Sequence, residues 1–236
     1  MLSRLTRSTM PLVWSLAVAL VVPAPLNAAG NALTRAQALQ ALTQPVAAQR
    51  GAAVIRLAEI GTMADTQRLV PRLDDSDEAV RQLAEAALWQ IWGRSGDATI
   101  DAQYQRGVAQ MAASRLGDAV ASFTAIIRKK PAFAEARNKR ATVYYLLGQF
   151  ELSMKDCDEV LKRNPNHFGA LSGYAQMWAQ KGDPARALDY YLRALKVHPH
   201  LTGAAQVVPQ LEREVEDKRK RTVRLNPAGL FPVLES

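Results

Sequence analysis

The sequence predicts an all-helical fold in which short helical hairpins stack into an α-α superhelix. Hydrophobic residues make up 48% and charged residues 22% of the 236-residue chain, which is typical of a globular protein and excludes a disordered or multi-span membrane chain. Aromatic residues make up only 6%, whereas alanine and leucine are abundant, and this favours packed helices over a β-sandwich. The observation that decides the architecture is a repeat of 34 residues in the second half of the chain.

The amino-terminal segment has the pattern of a secretory signal peptide. Two arginines precede an uncharged apolar stretch at 11–22, and small residues follow it. The stretch is shorter than the roughly 20 residues that a bilayer-spanning helix needs, but it suits the hydrophobic region of a signal peptide. We expect 1–29 to be such a peptide, cleaved after Ala28 or Ala29, and the mature protein to be periplasmic or secreted. An uncleaved membrane anchor is the alternative.

The segment 30–96 has the pattern of packed amphipathic helices. An acidic start, with Asp75 and Glu78 as a capping pair, leads into apolar residues at helical spacing, and Gly61 and Gly93 supply helix stops. The apolar residues are Val80, Leu83, Ala84, Ala87, Leu88 and Ile91. Residues 73–88 resemble a HEAT repeat, and 53–61 are similar to the end of a preceding unit. The resemblance implies a HEAT-like helical segment.

Five columns of residues recur in register through three copies of the 34-residue repeat. They are Gly107, Ala141 and Ala175; Ala119, Ser153 and Ala187; Phe123, Cys157 and Tyr191; Ile127, Leu161 and Leu195; and Pro131, Pro165 and Pro199. Small side chains allow two helices to approach closely, and proline cannot continue a helix. Gly148 and Gly182 are predicted to end the first helix of their copies in the left-handed conformation, with Ser114 as the weaker counterpart. Each copy is therefore a helical hairpin that buries its apolar face only by stacking.

This pattern resembles the tetratricopeptide repeat. The aromatic residue Trp178, the turn at Gly182 and the small contact at Ala187 fall where that family has an aromatic residue, a turn and a small residue. We expect a tetratricopeptide domain at 97–220. Its predicted parts are repeats at 100–133, 134–167 and 168–201 and a capping helix at 202–220, followed by a carboxyl-terminal tail at 221–236.

The two helical regions are joined by a short glycine- and serine-containing break at 93–97, which is too short to act as a free tether. The sequence therefore predicts that they stack into one continuous rod. Trp89 and Trp92 lie near the seam, and core packing is favoured for them over an exposed ligand platform.

The resemblance to tetratricopeptide repeats also implies which side chains face the concave groove. They are Asp101, Tyr104, Val108, Met111, Glu135, Asn138, Thr142, Tyr145, Gly169, Ser172, Gln176 and Ala179. The predicted partner-binding residues among them are Asn138, Thr142, Tyr145, Ser172, Gln176 and Tyr104. Amides and hydroxyls can bind a peptide backbone, with Tyr145 as an aromatic wall; an ordinary solvated surface is the alternative. Val108, Gly169 and Gly173 cannot supply the clamp with which chaperone-binding members hold a terminal carboxylate.

Catalysis is not expected. The sequence contains no zinc-protease, serine-hydrolase or phosphate-loop motif. His167, His198 and His200 lie at turns between repeats, so ordinary turn residues are favoured over a metal site. Cys157 lies in a core column and is predicted to be an inert buried thiol. No cofactor is predicted.

We therefore expect a non-enzymatic scaffold that binds a protein or peptide of the bacterial envelope in its groove. A net charge of +8 would suit nucleic-acid binding, but an exported protein rarely meets nucleic acid, so this function is disfavoured. The alternative function is an adaptor for an anionic surface, a membrane or an envelope polymer, acting through the basic run Lys218, Arg219, Lys220 and Arg221. Alternating charges in this region are also typical of a solvated helix face. The oligomeric state is left open.

Overall fold

The structure, a computed structural model, describes the backbone of residues 32–225 and the side chains of residues 32–221. These residues form α-helices and short 3₁₀ helices without any β-strand, which confirms the predicted all-helical superhelix. The signal peptide predicted at 1–29 and most of the predicted tail at 221–236 lie outside the described residues. Within the described range, no helix combines the length and the apolar character needed to cross a bilayer.

The first four helices form the amino-terminal part of the molecule. Helix α2 packs between α1 and α4, and the core there contains the fully buried Leu57, Leu73 and Leu88. Gly61 and Gly93 are the carboxyl-terminal caps of α2 and α4, as predicted. The helices are α1 (Arg35–Ala41), α2 (Ala47–Ile60), α3 (Thr66–Leu69) and α4 (Glu78–Trp92), with 3₁₀ helices at Met63–Asp65 and Val70–Asp74.

The predicted capping pair of α4, Asp75 with Glu78, is wrong. Asp77, not Asp75, is the cap, and its carboxylate accepts a hydrogen bond from the backbone N–H of Val80. Asp75 is buried, and its Oδ1 lies 2.6 Å from Nη2 of the buried Arg50. The hydrogen bond from Arg50 outweighs burial and lowers the pKa of Asp75. The carboxylate therefore holds the turn before α4 against α2 instead of capping a helix.

Three helical hairpins follow, and their turns have the predicted backbone geometry. Gly148 and Gly182 have φ angles of 71° and 73°, and Ser114 has a φ of 57°, so all three are left-handed. The second helix of each hairpin ends two residues before Pro131, Pro165 or Pro199. The hairpins are α5 (Ala98–Ala112) with α6 (Leu116–Lys129), α7 (Ala134–Leu146) with α8 (Phe150–Arg163), and α9 (Phe168–Gln180) with α10 (Pro184–Val197).

Three of the five repeated columns, those that contain Gly107, Ala119 and Phe123, form the interior of these hairpins. Phe123, Cys157 and Tyr191 are 0%, 1% and 3% exposed, which confirms them as core residues. A Cβ at Gly107 would lie 2.7 Å from Cε1 of Phe123, so glycine is what allows α5 and α6 to approach this closely.

A last helix, α11 (Thr202–Leu225), packs on α10 and continues through Pro209. Nζ of Lys218 donates a hydrogen bond to the carbonyl oxygen of Gly182 at 2.7 Å. Glu216 and Lys220 form an i,i+4 ion pair at 3.5 Å. The helix covers the open side of the third hairpin, as a capping helix must.

The two helical regions do not form the predicted continuous rod. Helix α4 instead lies against the turns that precede and follow the third hairpin, and Phe168 at the start of α9 belongs to the core of the amino-terminal helices. Further along the same contact, Glu85 of α4 approaches His198. The prediction failed because it assumed that neighbours in sequence are neighbours in the stack, whereas aromatic and histidine side chains hold α4 across the hairpin turns.

Candidate functional site

The inner wall of the hairpin array consists of the side chains of α5, α7 and α9 that the sequence predicted to line a groove. Most of the predicted partner-binding residues on this wall are buried. Exposure is 5% for Tyr104, 0% for Asn138, 2% for Thr142, and 9% for Ser172 and Gln176. Tyr145 is half-buried. Five of the six therefore do not form a free surface, and their assignment to partner binding stays a prediction.

The amino-terminal ends of α7 and α9 are covered by Trp89 of α4. A Cβ on Gly169 would overlap the outer edge of the Trp89 ring, so the indole occupies the space that a larger side chain would fill. Nζ of Lys139 lies 5.2 Å from the centre of the same ring. Trp92, one turn further along α4, is 3% exposed. The two tryptophans therefore pack in the core of the amino-terminal helices, as predicted. They also contact His167 and Gly169 at the start of α9.

Beneath these tryptophans lies a buried carboxylate, Glu135, in the first turn of α7. Its Oε1 accepts hydrogen bonds from Nδ2 of Asn138 at 3.1 Å and from the hydroxyl of Tyr104 at 3.4 Å. Nζ of Lys139 lies 3.3 Å from the same oxygen, and Nε2 of His167 lies 2.8 Å from Oε2. The carboxylate thus joins the first hairpin, the second hairpin and the turn before the third.

The protonation of this cluster follows from its hydrogen bonds. Nδ1 of His167 accepts a hydrogen bond from the backbone N–H of Ala170. The ring therefore carries its proton on Nε2, and this N–H donates a hydrogen bond to Glu135. Burial acts to raise the pKa of Glu135, but Lys139, the hydrogen bond from His167 and that from Asn138 outweigh it and lower the pKa to about 2. Burial, together with the Glu135 charge, raises the pKa of Tyr104 well above its ordinary value. Glu135 is therefore ionised at neutral pH, and its contacts connect the first two hairpins with the turn before the third.

The carboxyl-terminal end of the inner wall remains accessible. Met111, Tyr145 and Ala179 occupy the same position in the three copies and are each partly exposed. The helices that carry them contact one another, α5 with α7 and α7 with α9. Leu146, next to Tyr145, is 41% exposed. We call Met111, Tyr145, Leu146 and Ala179 the open end of the wall; its surface is apolar and aromatic, not amide-rich.

Each of the three histidines lies beside a different carboxylate, and His167 beside Glu135 is described above. Nε2 of His198 lies 3.3 Å from Oε2 of Glu85, and Nε2 of His200 lies 3.0 Å from Oδ1 of Asp74. In residues 32–225 no group of three or more histidine, cysteine or acidic side chains is arranged to hold a metal ion. All three histidines instead join the amino-terminal helices to the hairpin turns.

The basic run near the end of α11 makes contacts within the chain. Arg219 and Lys220 both pair with Glu216, at 3.0 and 3.5 Å, while Lys218 binds the Gly182 carbonyl. The side chains of Arg219 and Lys220 remain 75% and 60% exposed. Binding of an anionic surface by Lys218, Arg219, Lys220 and Arg221 stays a prediction.

Sequence reasoning missed the pairing of Glu135 with His167. The two residues are 32 positions apart, one in the first turn of a helix and one at the cap of the next hairpin. A usable signal was present, since an acidic residue at a groove position and a histidine at the following turn fall next to each other once the 34-residue register is applied.

The hairpins match a known family. Residues 104–161 and 155–201 match the tetratricopeptide repeat family. The two matches together span 104–201, the region of the three hairpins. The register of these repeats explains the shared spacing of the glycine turns and of the buried columns.

Two curated proteins with related sequence extend this finding. A TPR repeat-containing protein of Rhizobium etli is 33% identical over 128 residues, which is 54% of this chain and 63% of the relative. The DnaJ homolog subfamily C member 3 of Homo sapiens is 25% identical over 133 residues, which is 56% of this chain and 26% of that protein. The chain thus spans less than two thirds of the length of either relative.

Among solved structures, the first TPR of Spaghetti (RPAP3), bound to an HSP90 peptide, aligns with a TM-score of 0.49 and 17% identity. The alignment covers 51% of this chain and 96% of that one.

Proposed function

We propose that this protein is an exported, non-enzymatic scaffold whose tetratricopeptide repeats bind a protein or peptide of the bacterial envelope. Stacked helical hairpins of this kind form extended surfaces that are typical of protein-interaction scaffolds. The observation that carries the proposal is the open end of the wall, where aligned positions of three successive repeats remain accessible while the other end is filled by Trp89.

The chemistry of the open end favours a partner segment with apolar side chains. Asn138 and Thr142, which could bind a peptide backbone, are buried and hydrogen-bonded within α7. The accessible side chains are Met111, Tyr145 and Leu146, and burying their apolar surface against a partner would be favourable. An amphipathic helix or an extended segment with alternating apolar residues would fit this surface.

Export is supported by the apolar stretch at 11–22 and the small residues after it. We also infer that α1–α4 are a HEAT-like unit, because α2 and α4 are amphipathic helices that pack directly on each other. Cell fractionation of the full chain beside a variant lacking 1–29 tests export. Retention of the full chain in the cytoplasm would contradict it.

A matched pair of leucine variants tests the binding surface. A photo-crosslinking amino acid at Leu146 should capture the partner in intact cells, and the purified partner then serves for calorimetry. We expect Leu146→Ser to weaken binding by about tenfold or more, since burying one leucine contributes about 1.5–3 kcal/mol. Leu192, which is 46% exposed on α10, provides the control variant Leu192→Ser. Equal binding by both variants would place the partner elsewhere.

Contact with an anionic surface through Lys218, Arg219, Lys220 and Arg221 is the competing proposal. Deleting 218–236 should then abolish salt-sensitive sedimentation with anionic vesicles. If the deletion leaves sedimentation unchanged, the competing proposal fails.

A further inference from the structure

A cavity of about 300 Å³ lies where the amino-terminal helices meet the turns between the hairpins. Trp92 and Arg94 line it on one side, and Lys130, Phe133, Arg163 and Asn164 line it on the other. We call it the junction cavity. It lies outside the open end of the wall, and it involves turn residues that the repeat register does not assign to a binding surface.

The junction cavity carries an excess of positive charge. The Arg94 guanidinium donates to the carbonyl oxygens of Glu59 and Gly61, and no carboxylate within residues 32–221 forms an ion pair with it. Lys130 likewise has no ion-pair partner among the side chains that the structure describes. Arg163 is the exception, because it pairs with Glu159 at 2.6 Å. Two cations are therefore available to an anion.

One carboxylate also lines the cavity, and it is held by partners within the chain. Glu135 receives hydrogen bonds from His167, Asn138 and Tyr104, with Lys139 at 3.3 Å. Its charge limits the cavity to a ligand of low negative charge, because a doubly charged anion would be repelled more strongly.

One neutral polar side chain also lines the cavity. Asn164 is 7% exposed, but its Nδ2 has almost no accessible surface, so this nitrogen is not among the groups that would bind a ligand. The remaining walls are apolar and include the rings of Trp92 and Phe133.

We propose that the junction cavity binds a monocarboxylate with an apolar body. The carboxylate would pair with Lys130 and Arg94, while the apolar body packs on Trp92 and Phe133. Such a carboxylate can belong to a free organic acid or to the last residue of a peptide. In either case the ligand touches both helical regions, and its binding stabilises their contact by mass action.

Titration of the full chain with hexanoate, followed by calorimetry and by the melting temperature, tests the site. We expect saturable binding of hexanoate and none of hexanol or hexylamine, which share the apolar body and lack the carboxylate. Lys130→Ala should weaken hexanoate binding by about tenfold, the effect of losing one charge-assisted hydrogen bond. Lys130→Gln, which keeps a long polar side chain and removes the charge, provides a second variant if Lys130→Ala does not fold.

Two lysines that lie next to cavity-lining residues in the sequence serve as controls. Lys129 and Lys162 are exposed, carry the same charge and do not line the cavity, so Lys129→Ala and Lys162→Ala should bind hexanoate as the unaltered protein does. Equal loss in a control variant, or equal binding of hexylamine, would overturn the proposal. A short peptide ending in leucine separates the sources: tighter binding than hexanoate, lost on amidation, assigns the site to a chain terminus, and the reverse order assigns it to a free acid.

Discussion

The imidazole of His167 stacks on the indole of Trp92, with ring centroids 4.3 Å apart and planes inclined by 23°. Trp92 ends α4, and His167 is the cap of α9, where it accepts from the N–H of Ala170. The same ring donates to Glu135. One side chain therefore connects the amino-terminal helices, the second hairpin and the third.

Replacing His167 should cost more stability than its size indicates. In His167→Ala the helix cap, the hydrogen bond to Glu135 and the ring contact are lost together, and we expect a decrease of about 3 kcal/mol in the free energy of unfolding. Urea denaturation measures it. His200→Ala is the control: this side chain is 48% exposed, and its pair with Asp74 should contribute less than about 1 kcal/mol. Similar losses in both variants would contradict the central position of His167.

A single methyl group should disturb the contact between Trp89 and α9. In Gly169→Ala the new Cβ overlaps the Trp89 ring, so the ring or the helix must move, and we expect a loss of about 1–3 kcal/mol. Gly117→Ala provides the control, because nothing lies within 4 Å of a Cβ at that position. The loss should shrink when Trp89→Ala is already present. An undiminished loss in that background would mean that the ring does not occupy this space.

The buried carboxylate predicts a defined acid sensitivity. The pKa of Glu135 is lowered from 4.5 to about 2, so its contribution to stability is complete above pH 4.5 and is lost as the pH falls towards 2. Glu135→Gln should therefore be less stable than the unaltered protein at neutral pH, with the difference narrowing in acid. Urea denaturation over this pH range measures the difference. Glu151→Gln, at an exposed ion pair with Lys181, should change stability little at any pH. A difference between Glu135→Gln and the unaltered protein that is constant with pH would contradict the assignment.

The thiol of Cys157 should be unreactive in the folded protein. It is 1% exposed, and burial, together with the charges of Asp156 and Asp158, raises the pKa of the thiol. We expect disulfide reagents to label it only after unfolding. A cysteine placed at the exposed Gln149 in a Cys157→Ala background gives the rate for an accessible thiol. Comparable labelling rates at the two positions would show that the core column is open.

The sequence predicts the local structure of the hairpins well because that structure depends on short-range chemistry. Gly148, Gly182 and Ser114 adopt the left-handed turn that their positions require. Phe123 and Cys157 are buried because the 34-residue register places them on the face shared by stacked helices. These features repeat, so each copy supports the interpretation of the others.

The position of α4 could not be predicted in the same way. Glu85 of α4 contacts His198, and Asp74 of the preceding 3₁₀ helix contacts His200. These pairs are 113 and 126 residues apart, and no periodic pattern links them. The burial of Asn138 could not be predicted for the same reason. Its position in the repeat indicates which way it points, but only the three-dimensional arrangement decides whether another part of the chain fills the space in front of it.

The return of α4 onto the third hairpin alters how the repeats should unfold. In a simple linear array each unit touches only its neighbours, so the terminal units open first and the centre opens last. Here the amino-terminal helices also contact the third hairpin. Fraying of α9 and α10 would therefore release Phe168 from the core of those helices. Amide hydrogen exchange should accordingly show one cooperative unit from α4 to α10, without a gradient of protection from the ends to the middle.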